Sequence, residues 1–226
     1  MNILSAGAAK GLLHTIAARE GIELTGEFGA VGAMRERLKA GVPYDVIVLT
    51  AAMIGELAAS GEVDAASVIA LGSVDTGIAL LSGAPTTEVD TVLSLKLLLT
   101  QATRLYFPDP AKATAGIHVM KVLTALGLAE SHRGRFATFP NGATAMRALA
   151  DASDISAVGI TQRSEILYTD GVQYAGALPG PYELSTVYSA AVTRNARDDD
   201  APMRLLAALS AARYDGVRRD AGFDGV

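Results

Sequence analysis

The feature that most constrains this chain is a repeated pattern in which an apolar strand leads through a turn of small residues into a helix. It begins with a short buried strand at Ile3 and Leu4 and a helix over 10–19 whose apolar side chains recur at helical spacing. The next predicted elements are a strand over 22–28, a helix ending at Gly41, a strand over 46–49 and a helix over 51–60. Three such units in succession predict an α/β domain with a parallel sheet.

The same rhythm returns after a turn-rich stretch at 82–87 and predicts a second α/β lobe. The elements expected there are strands over 104–107, 136–139 and 155–160 and helices over 116–128 and 143–150. A strand over 187–192 and a final helix over 202–213 follow, and we expect this helix to pack on the first lobe. The sequence therefore predicts a discontinuous first lobe, 1–78 plus 190–226, and a second lobe, 79–189.

Composition and charge exclude several classes of function. The 226 residues carry a net charge of −5 without basic blocks, which argues against a nucleic-acid partner. The absence of cysteine excludes disulfides and thiolate metal sites, and the three histidines lack metal-ligand spacing. No phosphate-binding or dinucleotide glycine motif occurs where a strand meets a helix, so we expect neither a metal nor a cofactor.

The apolar segments also bear on where the chain resides. No uncharged stretch approaches the roughly 18 residues that cross a bilayer. No basic segment precedes an apolar core at the start of the sequence, as it would in a secretory signal. We expect a cytoplasmic protein as the sequence stands, or a periplasmic one if a leader peptide has been removed.

Four loops of small residues, each ahead of a helix, indicate an anion site. Ligands of parallel sheets bind at the carboxyl ends of strands, where backbone N–H groups and the helix dipole favour negative charge. For any single loop, the simpler explanation is that small residues permit a tight turn, but four together favour a small anion. The candidate ligand-binding residues are Gly7, Ala8, Ala9 and Lys10; Gly29, Ala30 and Val31; Thr114, Ala115 and Gly116; and Asn141 and Gly142.

A few polar side chains near these loops are further candidates. Lys10 stands in the first turn of a helix, where a cation opposes the dipole, so it either faces a bound anion or points into solvent. Thr161 could cap the helix that follows it, and the amide of Gln162 offers a ligand both a donor and an acceptor. If the protein is an enzyme, the catalytic candidates are Lys10, Glu165 and His118, although a structural histidine is the simpler interpretation of His118.

Several segments, taken in order, carry a resemblance to a known family. They are residues 4–9, 28–33, 40–46, 109–110 with 114–117, 159–160 and 221–223, and Ala-Gly-Val-Pro-Tyr-Asp-Val at 40–46 is the most specific. They resemble the molybdate-binding proteins of ABC transporters over essentially the whole chain. The resemblance implies a type II periplasmic-binding-protein fold, with two Rossmann-like lobes and a ligand cleft that closes by hinge motion. We expect a monomer, with an ABC permease as partner only if the chain is exported.

The residues at the family's ligand positions point away from molybdate. The resemblance implies hydroxyl side chains at the first two loops, backbone N–H groups in the second lobe and a tyrosine after the Gly-Ile strand. Those side-chain positions hold Ala8, Ala30 or Val31, and Gln162, and each oxyanion oxygen that finds no donor there costs about 1–3 kcal/mol. The charge of Lys10 suits a carboxylate better.

Two functions follow from this divergent site. The first is a solute-binding protein that sequesters a small anion, an organic carboxylate rather than molybdate, by lobe closure. The alternative is a cofactor-independent isomerase of an unsaturated carboxylic acid, similar to aconitate isomerase, which moves a proton with one base. The abundance of binding proteins in the family favours the first, and the lack of a signal peptide favours the second.

Overall fold

A computed structural model describes residues 1–85, 87–197 and 200–225. Its strands are β1 (Asn2–Ala6), β2 (Thr25–Gly29), β3 (Val46–Thr50), β4 (Ile69–Leu81), β5 (Leu105–Pro108), β6 (Phe136–Phe139), β7 (Val158–Gln162), β8 (Val172–Ala177) and β9 (Ser185–Val192). Its α-helices are α1 (Lys10–Arg19), α2 (Val31–Lys39), α3 (Ala51–Ala59), α4 (Val92–Gln101), α5 (Thr114–Ala125), α6 (Gly142–Ala150), α7 (Arg163–Leu167), α8 (Ala201–Ser210) and α9 (Asp215–Asp220). Within the described ranges, no helix has both the length and the apolar character to span a membrane.

The chain divides into two compact lobes. The first comprises Met1–Val74 and Thr186–Val226, and the second comprises Asp75–Ser185. Each boundary falls inside a strand, β4 or β9, and lies earlier in the chain than the sequence-based boundaries at 79 and 190. Position 86 of the predicted turn, and positions 198, 199 and 226 of the predicted first lobe, lie outside the described residues. Both lobes combine strands with helices, which confirms the predicted α/β class.

The first lobe is built on the strand order β2-β1-β3-β9. β1 pairs in parallel with both β2 and β3, and β9 runs antiparallel to β3. The first four residues of β3, Val46 to Leu49, are fully buried, as expected for a strand that helices cover on both faces. The three parallel strands therefore end at one edge, and each is followed by a helix.

A buried carboxylate, Asp45, lies just before β3, at the opposite end of the strands from these helices. Its Oδ2 accepts the backbone N–H of Asn2 at 2.7 Å and the Nη2 of Arg197 at 2.7 Å, while Oδ1 accepts the Arg197 backbone N–H at 3.1 Å. The Arg197 side chain, helped by these N–H groups, lowers the pKa of Asp45 from 3.8 to about 2 despite its burial. Asp45 belongs to the Ala-Gly-Val-Pro-Tyr-Asp-Val motif at 40–46. The motif therefore has a structural role, because its aspartate connects the starts of β1 and β3 to the segment after β9.

The second lobe has the order β8-β4-β7-β5-β6. β5 pairs in parallel with β6 and β7, and the second half of β4 runs antiparallel to β7 and β8. Leu105 and Phe107 of β5 are fully buried beside Leu95 and Leu99 of α4. Here too, the carboxyl ends of three parallel strands share one edge.

Some elements differ from the sequence-based expectation. α4 and β8 were not expected: Leu93 and Leu97 lie exposed on α4 opposite the buried Leu95 and Leu99, so leucines on both faces hide the helical period. β7 ends at Gln162 rather than at residue 160. The predicted final helix over 202–213 is wrong beyond residue 210, because Ala211 takes an extended conformation (ψ 134°) that ends α8.

Candidate functional site

The first lobe brings two of the predicted loops together. Because Ala6 at the end of β1 pairs with Gly29 at the end of β2, the loop over 7–10 lies beside the loop over 29–31. A short 3-10 turn, Gly7–Ala9, continues directly into α1, and Ala30 is the N-cap of α2. The candidate residues of this lobe therefore share the carboxyl edge of its parallel strands.

These two helix N-termini are not capped by side chains. Neither Ala9 before α1 nor Ala30 before α2 makes a side-chain cap hydrogen bond, because alanine has no polar atom to offer. The third N-terminus at this edge differs, since Thr50 Oγ1 accepts the N–H of Met53 at 3.4 Å before α3. The Lys10 N–H already donates to the Gly7 carbonyl oxygen of the 3-10 turn. The N–H groups that can serve an external acceptor are therefore those at the start of that turn, where Ala6 makes no side-chain cap, and those at the start of α2.

Lys10 occupies a defined position rather than an unrestrained one. Its Nζ lies 5.7 Å from the centre of the Phe28 ring, within cation–π distance, and the His14 ring packs on Phe28 at 5.2 Å between centroids. The pKa of His14 is lowered, first because its imidazole ring is partly buried and second because the positive charge of Lys10 is nearby. Phe28 immediately precedes Gly29, so the ammonium group is held beside the end of β2.

Three loops of the second lobe meet at the end of its parallel strands. They follow β5, β6 and β7 and contain Thr114 to Gly116, Asn141 with Gly142, and Thr161 with Gln162. Ala113 makes no side-chain cap for α5, which leaves the first turn at Thr114 and Ala115 uncapped. Gly116 has a packing role, because a Cβ there would lie 2.3 Å from the carbonyl oxygens of Pro108, which ends β5, and of Asp109, which follows it.

The N-terminus of α6 is already satisfied by the chain. Asn141 Oδ1 accepts both the backbone N–H and the hydroxyl of Thr144 at 2.9 Å. The buried carboxylate of Glu165 accepts the N–H of Ala143 at 3.3 Å and the hydroxyl of Thr161 at 2.6 Å. Thr161 therefore does not cap α7 as the sequence suggested: the N-cap is Gln162, because β7 extends two residues further than expected.

Gln162 links the end of β7 to β4. Its side chain is 3% exposed and its Nε2 donates to Thr76 Oγ1 at 3.5 Å, across the antiparallel pair that these two residues form. Thr76 in turn lines a cavity of about 210 Å³. The other lining residues are Asp75, Ala177, Leu178, Glu183, Leu184 and Ser185.

His118 lies on α5, one turn beyond the candidate loop. Its Nε2 donates to the carbonyl oxygen of Tyr182 at 2.8 Å, which leaves Nδ1 as the acceptor of the neutral ring. The ring thus joins α5 to the 3-10 turn Gly180–Tyr182, a structural contact.

Phe28 and Thr76 contact candidate residues, and sequence reasoning did not select either of them. Phe28 lay inside a quoted segment, but nothing in its pattern showed that Lys10 would reach over its ring. Thr76 pairs with Gln162 only through the antiparallel register of β4 and β7, which is a long-range feature. Among residues 1–85, 87–197 and 200–225, no group of three or more histidines and carboxylates could hold a metal ion.

Solved structures of binding proteins share this fold. The periplasmic molybdate-binding protein of Azotobacter vinelandii aligns with a TM-score of 0.77 at 18% identity, over 100% of this chain and 99% of that one. The sulfate-binding protein SubI of Mycobacterium tuberculosis H37Rv aligns with a TM-score of 0.72 at 16% identity, over 100% of this chain and 86% of that one. The type II periplasmic-binding-protein fold that the resemblance implied is therefore confirmed.

The chain belongs to the bacterial extracellular solute-binding protein family, whose model matches residues 2–224. Its function is accordingly solute binding. An aconitate isomerase from a Pseudomonas species is 25% identical over 194 residues, which span 84% of this chain and 71% of that protein.

Proposed function

We propose that the solute is a small organic carboxylate. The observation that carries the proposal is the position of Lys10, whose ammonium group lies over Phe28 beside the uncapped starts of the 3-10 turn Gly7–Ala9 and of α2. A cation together with backbone N–H groups suits a carboxylate, because its charge-assisted hydrogen bonds are about twice as strong as neutral ones.

In the first lobe, the ligand-binding residues of this proposal are those of the loops over 7–10 and 29–31. Apart from Lys10 and Val31, these residues are glycine or alanine, so a ligand oxygen can approach the N–H groups at the starts of the 3-10 turn and of α2. Ala8 and Ala30 supply no hydroxyl, which favours a carboxylate over molybdate, an anion bound through neutral donors.

In the second lobe, we assign ligand binding to the uncapped turn at Thr114 and Ala115 and to the polar end of β7. The buried amide of Gln162 offers a donor and an acceptor at that strand end. Thr161 and the Asn141–Gly142 loop border it, and Gly116 lets α5 start close to β5. Such groups suit a ligand with hydroxyl as well as carboxylate oxygens.

The test is isothermal titration calorimetry with citrate, cis-aconitate and trans-aconitate on the wild type and Lys10→Ala. We expect a carboxylate to bind the wild type and Lys10→Ala to weaken its affinity at least tenfold. Lys39→Ala is the matched control, because Lys39 ends α2 at its far end from the proposed site. Equal affinity in the wild type and Lys10→Ala would remove Lys10 from the site, and no carboxylate binding at all would refute the proposal.

A second candidate function is isomerisation of an unsaturated carboxylic acid. The observation that favours it is the similarity to an aconitate isomerase. Of the three catalytic candidates, we propose Lys10 as the base for this reaction, because its amino group lies over Phe28 at the carboxyl ends of β1 and β2, whereas Glu165 and His118 make structural hydrogen bonds within the second lobe. Proton NMR of cis-aconitate with catalytic amounts of protein is the test: formation of trans-aconitate, lost in Lys10→Ala, would establish the enzyme, and an unchanged spectrum would refute it.

The remaining expectations stay predictions, each with its own measurement. Small-angle X-ray scattering with and without ligand tests lobe closure, and sedimentation equilibrium tests the monomer. Cell fractionation with an antibody distinguishes cytoplasmic from periplasmic protein. If the chain is exported, we propose an ABC permease as its partner, and uptake of the ligand by vesicles containing that permease would test it.

A further inference from the structure

Phe28 is an aromatic residue beside the proposed ligand site. It stands one residue before Gly29, which ends β2, and β2 is an edge strand of the sheet, next to β1. The pairing of Phe28 with Ser5 fixes its position along that edge. The side chain packs on the core of the first lobe but is only half-buried, so part of it remains exposed.

The Phe28 ring contacts two side chains of α1. Lys10 and His14 are four residues apart, so they lie on the same face of the helix. The Lys10 Nζ is 5.7 Å from the centre of the Phe28 ring, and the His14 ring is 5.2 Å from it with 34° between the two planes. An aliphatic side chain could also pack on the core here, but only an aromatic ring attracts an ammonium group through its quadrupole.

The local helix geometry alone disfavours Lys10 at this edge. Lys10 is the first residue of α1, where the helix dipole opposes a cation, and its four-carbon stem is flexible. The Phe28 ring offsets the dipole and restricts the stem without bringing a negative charge to the ammonium group. Less side-chain freedom is then lost when a carboxylate binds to Lys10, and this loss is one of the costs of binding.

We propose that Phe28 is a positioning residue of the carboxylate site: its ring holds the Lys10 ammonium group at the carboxyl ends of β1 and β2 and increases the affinity for the ligand through Lys10. The inference rests on the proposed function for the identity of the ligand. The placement of Lys10 by the ring is measurable without any ligand.

A double-mutant cycle separates this role from a structural one. Calorimetry with citrate, cis-aconitate and trans-aconitate measures the effect of Phe28→Leu in the wild type and in Lys10→Ala. In the wild type, Phe28→Leu should weaken carboxylate affinity about three- to tenfold, because the ligand must then order the lysine itself. In Lys10→Ala the same substitution should change the affinity less than twofold. Phe28→Tyr keeps the ring and should bind within twofold of the wild type.

Phe136→Leu is the matched control for the loss of an aromatic ring. Phe136 is also a half-buried phenylalanine on an edge strand, β6, but it begins that strand, whereas the candidate loop follows the end of β6. Its replacement should leave carboxylate affinity unchanged. Circular dichroism shows that each variant is folded.

NMR of the lysine side chains detects the contact in the unliganded protein. Protons over the face of an aromatic ring are shifted upfield by its ring current, so the ε-methylene signal of Lys10 should lie upfield of that of the exposed Lys39. Lys10→Ala assigns the signal. The upfield shift should persist in Phe28→Tyr and disappear in Phe28→Leu.

The inference would be overturned by carboxylate affinity of folded Phe28→Leu within twofold of the wild type, or by a similar loss in both backgrounds, which would indicate a structural role. A Lys10 signal at the same position in the wild type and Phe28→Leu would also overturn it. If Phe28→Leu does not fold, Phe28→Met and the Lys10 signal of the wild type decide. If the wild type binds none of the carboxylates, the proposed function fails, and the Lys10 signal then decides whether the ring holds the ammonium group.

Discussion

Replacing Asp45 with asparagine should destabilise the first lobe, and the structure gives the size of the effect. The folded lobe lowers the pKa of Asp45 from 3.8 to about 2, chiefly through the Arg197 side chain. At about 1.36 kcal/mol for each pKa unit, the charge of Asp45 contributes about 2 kcal/mol to the free energy of unfolding at pH 7. Because the pKa is lowered in the folded state, this contribution is complete above about pH 5 and is lost progressively as the pH falls towards about 2.

Urea unfolding followed by circular dichroism measures the effect. Asp45→Asn should lose about 2 kcal/mol or more at pH 7, and its difference from the wild type should shrink by about that amount between pH 5 and pH 2. Asp64→Asn is the control, since the exposed side chain of Asp64 accepts the N–H of Ala66, a role that asparagine also fills. A difference that stayed constant over this pH range would refute the charge-based reasoning.

Two further perturbations test packing and the placement of Lys10. Gly116→Ala should lower the free energy of unfolding by about 1–3 kcal/mol, because its Cβ would press on two backbone carbonyl oxygens. Gly55→Ala lies on the exposed face of α3 with nothing within 4 Å of the new Cβ, so it should raise the free energy of unfolding by about 0.5–1 kcal/mol. Urea unfolding at pH 7 compares them, and equal effects would contradict the packing account. Lys10→Ala should raise the pKa of His14, since the charge of Lys10 lowers that pKa in the wild type. NMR titration of the His14 ring measures the change, and an unchanged midpoint would contradict the placement of Lys10 beside Phe28 and His14.

The local elements could be predicted where apolar periodicity is clean. The bounds predicted for α1 and β6 agree with the structure, because small-residue turns and alternating side chains mark their ends. α4 escaped prediction because leucine lies on both its buried and its exposed faces. β8 escaped because all six of its residues are partly buried, so apolar and polar positions do not alternate.

The candidate site was predictable only in outline. Strand-to-helix loops could be located by their small residues, but the contacts that distinguish them depend on strand register and on distant side chains. Glu165 is the clearest case: the sequence suggested an acid-base role, whereas the structure places its carboxylate against Gly142, a residue chosen as a ligand donor. Lys10 is a second case. The sequence suggested that it either faces a bound anion or points into solvent, and neither interpretation included its contact with Phe28.

The most direct test of the central claim is a thermal-shift comparison of carboxylates and oxyanions on the wild-type protein. A ligand that binds only the folded state raises the melting temperature, because it stabilises that state by RT ln(1 + [L]/Kd). The account predicts that citrate or an aconitate isomer raises it and that sulfate and molybdate at the same concentration do not. A rise with molybdate or sulfate, and none with any carboxylate, would contradict it.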